Sequence, residues 1–523
     1  MTSSDLLTAP APAQTSPAGL TPAVEGQLPE DLNRLINSVI LPGFVGTTVP
    51  QWLERALENG LAGVVYFGHN IDPDSPKQVS ALSAAIRAAN PNAVIGVDEE
   101  GGNVTRLQSR DGSTIPGAAA LGALNELSTT EAAGRAIGQL CRDAGINLTI
   151  APVADVNTNP LNPVIGVRAF GADTALVSAH TAAAVRGIQE LRVAACAKHF
   201  PGHGDTVADS HMDAARVDLT MAEMAQFHLP PFRAAVEAGV ASMMSAHIII
   251  PELGEAPATL TPAASALLRG MGFDGVLITD ALDMAAVRVT VGPGEGGVLA
   301  LLAGNDLLCV GNPLNAYTTG RDDESCYTEV FDALHAAAVS GRLPVDILRR
   351  AAGRVQALAQ WSAGEVAADK HDAVDWVSVA ARATRTDSLG SGSLGKTPVL
   401  AGSGVLTLVD ARTGHNMAAG PTENFLATAL HHYAVTAVNA TELSSAELEV
   451  ALMQARGAVL VLVDSLESAE QAQTLELVFA TAPQAVCVNA GLAPAEPTLF
   501  PALHAHGFSR VTAEAVVRVL ETV

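Results

Sequence analysis

Eight short apolar runs, each separated from the next by a longer Ala-rich segment, constrain the fold of this chain more than any other feature. They are Val39-Ile40-Leu41, Gly63 to Phe67, Val94 to Val97, Asn147 to Val153, Val193 to Ala197, Ser242 to Ser245, Gly275 to Thr279 and Leu307 to Val310. A short apolar run without polar alternation reads as a strand buried on both faces. The segments between them, such as Ser80 to Ala89, Glu131 to Ala144 and Ala263 to Met271, carry helix formers with Gly near their ends. This alternation predicts a (β/α)8 TIM-like barrel, whose active site is built at the carboxyl ends of its strands.

Those ends are polar. The third run ends in Asp98-Glu99-Glu100-Gly101-Gly102, the fourth leads to Asp155-Val156-Asn157, the fifth ends in Lys198-His199, the sixth in His247 and the seventh in Asp280. One acid beyond a strand is usually a helix cap. Polar groups at five successive ends point instead to a pocket for a hydroxyl-rich ligand.

Helix-like Glu329 to Val339 and Leu348 to Trp361 should close the barrel, which we place at residues 28–365. Residues 366–398 read as a connecting helix, Lys370 to Thr386, and a Gly/Ser linker, Ser388 to Gly395. Residues 399–523 carry further runs, Val405 to Val409, Ala434 to Val438, Ala458 to Val463 and Ala485 to Val488, with a helix-like Ser445 to Ala455. They form a second, smaller α/β domain, poor in clustered His, Asp and Lys, whose expected role is structural or positioning. Residues 1–27, rich in Ala, Pro, Ser and Thr, read as a disordered tail without a signal peptide.

A formal charge of -25 excludes nucleic acid and anionic membrane as natural partners. No run of about 18 apolar residues is present to span a bilayer. The five cysteines are odd in number and widely spaced, which fits buried free thiols in a reducing, cytoplasmic setting; Cys196 is expected in the core.

The stretch Lys198 to His211, KHFPGHGDTVADSH, concentrates the chemistry. Pro201-Gly202 and Gly204 keep His199 and His203 off a common helix, so their spacing is not that of a helical metal pair. In an extended segment Asp209 and His211 point the same way. A carboxylate so placed can hold an imidazole's tautomer and support its protonated form, as an acid/base histidine requires. For His203 and Asp205 we expect loop bracing; for His247, pocket lining or support of the barrel mouth; for His69-Asn70, a loop cap or a place near the ligand. Two other function classes share these residues. One is a metal-dependent barrel hydrolase using His199, His203, His211 and Asp280. The other is a sugar-binding module without chemistry.

Lys198 to His211, together with Val97 to Gly102, Asn162 to Gly171 (NPVIGVRAFG) and Ile278 to Met284 (ITDALDM), resembles the glycoside hydrolase family 3 β-N-acetylglucosaminidases over roughly residues 35 to 365. The resemblance implies a retaining, exo-acting glycosidase for terminal β-linked N-acetylglucosamine that needs no cofactor or metal. Asp280 would be the nucleophile, His211 the acid/base and Asp209 its orienting partner. Asp98, Arg106, Arg168, Lys198 and His199 would hold the sugar. The substrate would be a small N-acetylglucosamine-containing glycoside or muropeptide, as in cell wall recycling, with phosphate as an alternative acceptor that would make the enzyme a phosphorylase. Asn103, Ala169 and Ala281 depart from the family pattern, which usually has arginine, serine and aspartate at these places.

Overall fold

Every one of the eight runs contributes a parallel strand. In the computed structural model, which describes residues 31–207, 215–315, 321–366, 373–387, 399–400, 404–413 and 423–522, these are β1 (Ile40–Pro42), β2 (Gly63–Tyr66), β3 (Val94–Val97), β4 (Leu148–Thr149), β5 (Ala194–Phe200), β6 (Ser242–Ser245), β7 (Val276–Thr279) and β8 (Leu308–Gly311). All eight are buried along their whole length. Strands β2 to β7 form one parallel sheet in sequence order. An Ile278–Leu307 bridge links β7 to β8, and β8 pairs with β1, which stands beside β2 and curls the sheet into the expected barrel. Helices over Gln78–Ala89, Leu127–Asp143, Pro262–Gly270, Asp323–Val339 and Val345–Ser362 cover its outside.

Two strand lengths differ from expectation, and both differences bear on the site. The fourth run yields only Leu148–Thr149 as a named strand, although Ile150, Ala151 and Pro152 still exchange backbone hydrogen bonds with β3 and β5 and Val153 bridges to Lys198. The fifth extends to Phe200, so Lys198 and His199 belong to the strand itself rather than to a loop after it. Polar side chains are tolerated in this buried strand because each has a charged or hydrogen-bonding partner.

The C-terminal part is a separate α/β domain with a six-stranded mixed sheet of β9 (Arg385–Asp387), β10 (Val405–Asp410), β11 (Ala434–Asn439), β12 (Ala458–Val463), β13 (Val486–Asn489) and β14 (Ala502–His504), in the order β9-β14-β13-β12-β10-β11. Only β9 is antiparallel, to β14. The helix expected over Lys370 to Thr386 is shorter, Trp376–Ala383. Asp387, held by Arg385, the backbone of Thr498 and His504, draws the following residues into the sheet instead. The expected tail and the Gly/Ser linker lie outside the described residues. The domain docks on the barrel mouth: Phe508 N donates to Asn103 Oδ1 (2.6 Å) and Val511 N to Ser113 O (3.1 Å). Cys141, Cys196, Cys309 and Cys487 are buried free thiols, and Cys326 is half-buried. Among the described residues no helix is long and apolar enough to cross a membrane.

Candidate functional site

The turn after β3 builds the first wall. Gly101 and Gly102 have φ of +78° and +57°, a left-handed stretch in which side-chain-bearing residues are strained. It folds the chain back so that Glu100 N donates to Val104 O (2.9 Å). Glu99, fully buried, then accepts from the backbone N–H groups of Arg106 and Leu107, both at 3.0 Å. This returns Arg106 to within 3.8 Å of Asp98. Burial pushes the Glu99 carboxyl up to about 7 despite those bonds.

Between β3, β5 and the Gly166–Arg168 turn lies a buried charge cluster. Lys198 Nζ reaches Asp98 Oδ1 at 2.9 Å and Glu100 Oε1 at 2.6 Å. Arg168 grips Glu100 with two bonds, Nη2 to Oε1 at 2.7 Å and Nε to Oε2 at 3.0 Å, and donates to Val164 O. Asn162 shapes this turn by accepting from Val164 N and Ile165 N. Burial opposes the charge on every member. Mutual attraction prevails, holding Asp98 and Glu100 below the ordinary carboxylate range and Lys198 and Arg168 above their usual values.

Asp155, fully buried after β4, sets the second layer. It accepts from His199 Nδ1 (2.7 Å) and from the backbone N–H of His199 and of His203. With Nδ1 donating, Nε2 is left for the cavity that the His199 ring lines. His203 and Asp205 brace the loop: His203 Nδ1 pairs with Thr206 Oγ1 (2.8 Å), and Thr158 Oγ1 donates to Asp205 (2.8 Å). Burial and neighbouring His199 push His203 down to about 4, which keeps its ring neutral. Asp209 and His211 lie outside the described residues.

Asp280 follows β7. Its backbone N–H donates to Ser245 O (3.0 Å) and its Oδ1 accepts from Ala281 N (2.8 Å). His247 is fully buried and lies outside the cavity lining. Nδ1 pairs with Thr259 Oγ1 and Nε2 donates to Ala281 O, both at 2.9 Å, so it supports the Asp280 loop. Asn70 caps the turn after β2, and His69 donates to Phe44 O while lining the cavity.

Asp98, Arg106, Arg168, Lys198, His199 and Asp280 all line one open cavity of about 750 Å³. Two partners were not singled out from sequence, Glu100 and Asp155; each sat in a strand-end motif, where a lone acid reads as a cap. Nor was the contribution of the second domain, whose Glu423, Phe425 and Phe508 line the same cavity. Among the described residues no group of His, Cys, Asp or Glu side chains is arranged to hold a metal ion.

This arrangement of strand-end acids, cations and one open cavity has relatives. Residues 47–358 match the glycosyl hydrolase family 3 N-terminal domain. A β-hexosaminidase of Stenotrophomonas maltophilia is 38% identical over 324 residues, covering 58% of this chain and 88% of that one. A family 3 β-N-acetylglucosaminidase from Paenibacillus superposes with a TM-score of 0.80 at 30% identity, covering 94% of this chain and 96% of that chain. A β-N-acetylhexosaminidase from Beutenbergia cavernae superposes with a TM-score of 0.56 at 27% identity, over 64% of this chain and all of that one. With a barrel of this family and a site at its carboxyl face, the chain belongs to glycoside hydrolase family 3 and is a glycosidase.

Proposed function

We propose that this enzyme is a retaining, exo-acting β-N-acetylglucosaminidase. The observation that carries this reading is the convergence of Asp280 with Asp98, Arg106, Arg168, Lys198 and His199 on one cavity, within the roughly 300–1,000 Å³ of small-ligand clefts. Asp98 accepts hydrogen bonds from sugar hydroxyls, and Arg106, Lys198 and His199 Nε2 donate to hydroxyls or the acetamido oxygen. Each bond between a charged group and a hydroxyl contributes about 1.5–3 kcal/mol. Arg168, saturated by Glu100, chiefly fixes the wall and presents its remaining guanidinium edge.

Asp280 attacks the anomeric carbon as the leaving group departs, forming a glycosyl ester; water then breaks that ester, restoring the β-configuration. The proton given to the leaving oxygen, and later taken from water, travels through His211, oriented by Asp209. Most retaining glycosidases use a second carboxyl group in this role. A histidine leaves the site less negative, which repels an anionic acceptor such as phosphate less. Phe425, Phe508 and Glu423 face the cavity from the second domain and belong to the leaving-group side. The free buried thiols fit a cytoplasmic site of action on soluble cell-wall fragments.

The test is turnover of aryl β-N-acetylglucosaminide against aryl β-glucoside, with and without phosphate. The reading expects preference for the acetamido sugar, free N-acetylglucosamine released first as the β-anomer, and a rate independent of phosphate. A product that is mainly sugar 1-phosphate would make the enzyme a phosphorylase, and loss of activity on exhaustive chelation would favour a metal-dependent hydrolase. His211→Ala should slow poor leaving groups most, since a good one needs little protonation.

A further inference from the structure

A second carboxylate faces the cavity from the loop that carries Asp280. Asp283 stands three residues further on, is 6% exposed, and lines the cavity together with Asn312 and Asn315 of the loop after β8. Its Oδ2 accepts from Asn312 N and from Asn315 Nδ2, both at 3.2 Å, and its main-chain oxygen accepts from Arg288 Nε (3.2 Å). The end of β8 is shaped around it. Gly311 has φ +112°, and a Cβ there would fall 2.0 Å from Asp283 Oδ1. No cation pairs with the Asp283 carboxylate among the described residues.

We propose that Asp283 is a positioning residue of the sugar site, tying the 311–315 loop to the Asp280 loop and thereby setting Asn312 and Asn315 along the pocket wall. This rests on the glycosidase reading above. The surroundings of the carboxylate leave it this role, since the described residues give it no salt bridge and the space beside it is taken by backbone. The hydrogen bonds its carboxylate accepts run to Asn312 and Asn315 in the loop after β8, which lines this side of the cavity. An asparagine side chain carries one acceptor and two donors; Asn312 Oδ1 accepts from Leu314 N (3.0 Å) and Asn315 Nδ2 donates to Asp283, so it is the amide N–H groups of Asn312 that suit the acetamido oxygen of such a sugar.

The charge state of Asp283 matters because it shares the cavity with the nucleophile. The charged and titratable groups around it are Asp280 from the β7 loop, Cys309 from β8, Arg288 from the helix Ala285–Arg288, and Arg321, Cys326 and Glu329 from the segment entering and forming the helix Asp323–Val339. Arg321 is paired with Glu329. Burial first, and then the charge of Asp280, pushes the Asp283 carboxyl up to about 6, the two asparagine bonds opposing. Asp283 therefore changes charge within the weakly acidic range, beside Asp280 in the same cavity.

Two variants separate positioning from mere bracing. Asp283→Ala removes both acceptor bonds; Asp283→Asn keeps an acceptor oxygen but cannot ionise. Each is read by turnover of aryl β-N-acetylglucosaminide over pH 4.5–8 and by calorimetric binding of free N-acetylglucosamine. We expect Asp283→Ala to raise KM and weaken binding about tenfold, and Asp283→Asn to rescue both to within about twofold while losing an inflection near pH 6 in kcat/KM. A brace alone would lower Tm and leave KM and the pH profile unmoved, which would overturn the proposal. So would an Asp283→Asn variant as impaired as Asp283→Ala. If Asp283→Ala fails to fold, Asp283→Asn decides: near-native KM with the inflection lost supports the proposal, and a raised KM overturns it. A wild type that binds N-acetylglucosamine but does not turn over defeats the glycosidase reading alone, and the binding data still decide this one. A wild type that binds none of it overturns both.

Discussion

Glu100→Gln removes one charge from the middle of the buried cluster and leaves the shape almost unchanged. In the wild type Glu100 takes two bonds from Arg168, at 2.7 and 3.0 Å, and one from Lys198 at 2.6 Å. The exposed fractions of these side chains are 7% for Glu100, 4% for Arg168 and 3% for Lys198, so water cannot replace the lost partner. Breaking a buried ion pair from one side costs about 3–5 kcal/mol, because the remaining charge stays buried. Lys198 keeps Asp98, but Arg168 keeps only the carbonyl of Val164 and one neutral amide oxygen in place of its carboxylate partner, which places the cost toward the upper end. At roughly 2–4 °C per kcal/mol for a large domain, Tm should fall by about 6–20 °C. The sign with pH follows from linkage. Glu100 is held well below the ordinary glutamate range, so its stabilisation is complete above the unfolded value of about 4.3 and is lost only as pH falls further toward the folded value. The variant should therefore differ most from wild type at neutral pH and converge on it in strong acid. Thermal unfolding followed by circular dichroism from pH 3 to 8 measures this. A Tm within about 2 °C of wild type at pH 7 would refute the view that this cluster holds the barrel mouth together.

Other substitutions probe the sugar pocket, the buried Glu99 and the second domain separately. Asp98→Asn should cost less stability than Glu100→Gln, since Asp98 is the more exposed carboxylate, yet lower kcat/KM about a hundredfold or more by removing a charged acceptor of sugar hydroxyls. Glu99→Gln keeps an acceptor for Arg106 N and Leu107 N while abolishing a carboxyl whose folded value is raised to about 7. A raised acid binds more protons folded than unfolded, so wild-type stability should decline from about pH 4.3 to 7, and Tm of the variant should show a flatter slope there. Phe508→Ala should lower kcat/KM for an N-acetylglucosamine disaccharide about fivefold or more and for a small aryl leaving group about twofold or less; equal losses would argue against a leaving-group wall in the second domain.

The barrel was legible because its strands are buried on both faces, which writes them into the sequence as unbroken apolar runs. The cavity lining was legible for a related reason: Asp98, Lys198, His199 and Asp280 interrupt or end those runs, where a charge is costly unless it is used. Glu100 and Asp155 were present in the same motifs but could not be distinguished from caps, because their roles depend on Arg168, Lys198 and His199, between 44 and 98 positions away in the chain. Phe425 and Phe508 are ordinary apolar residues locally, and it is the docking of Phe508 N on Asn103 and of Val511 N on Ser113 that brings this part of the second domain to the cavity. Strands β9 and β14 are three residues each and stabilised by Asp387 and His504 across 117 positions, a pairing with no local signature.

As the proposed nucleophile, Asp280 carries the sugar as a covalent ester. This role is tested most directly by incubating the enzyme with a 5-fluoro N-acetylglucosaminyl fluoride, which slows the second step, and sequencing the labelled peptide by mass spectrometry. One added fluorosugar per chain is expected, attached at Asp280, with loss of activity that recovers as the ester hydrolyses. Substrate turnover without any adduct, or an adduct on a residue other than Asp280, would contradict it.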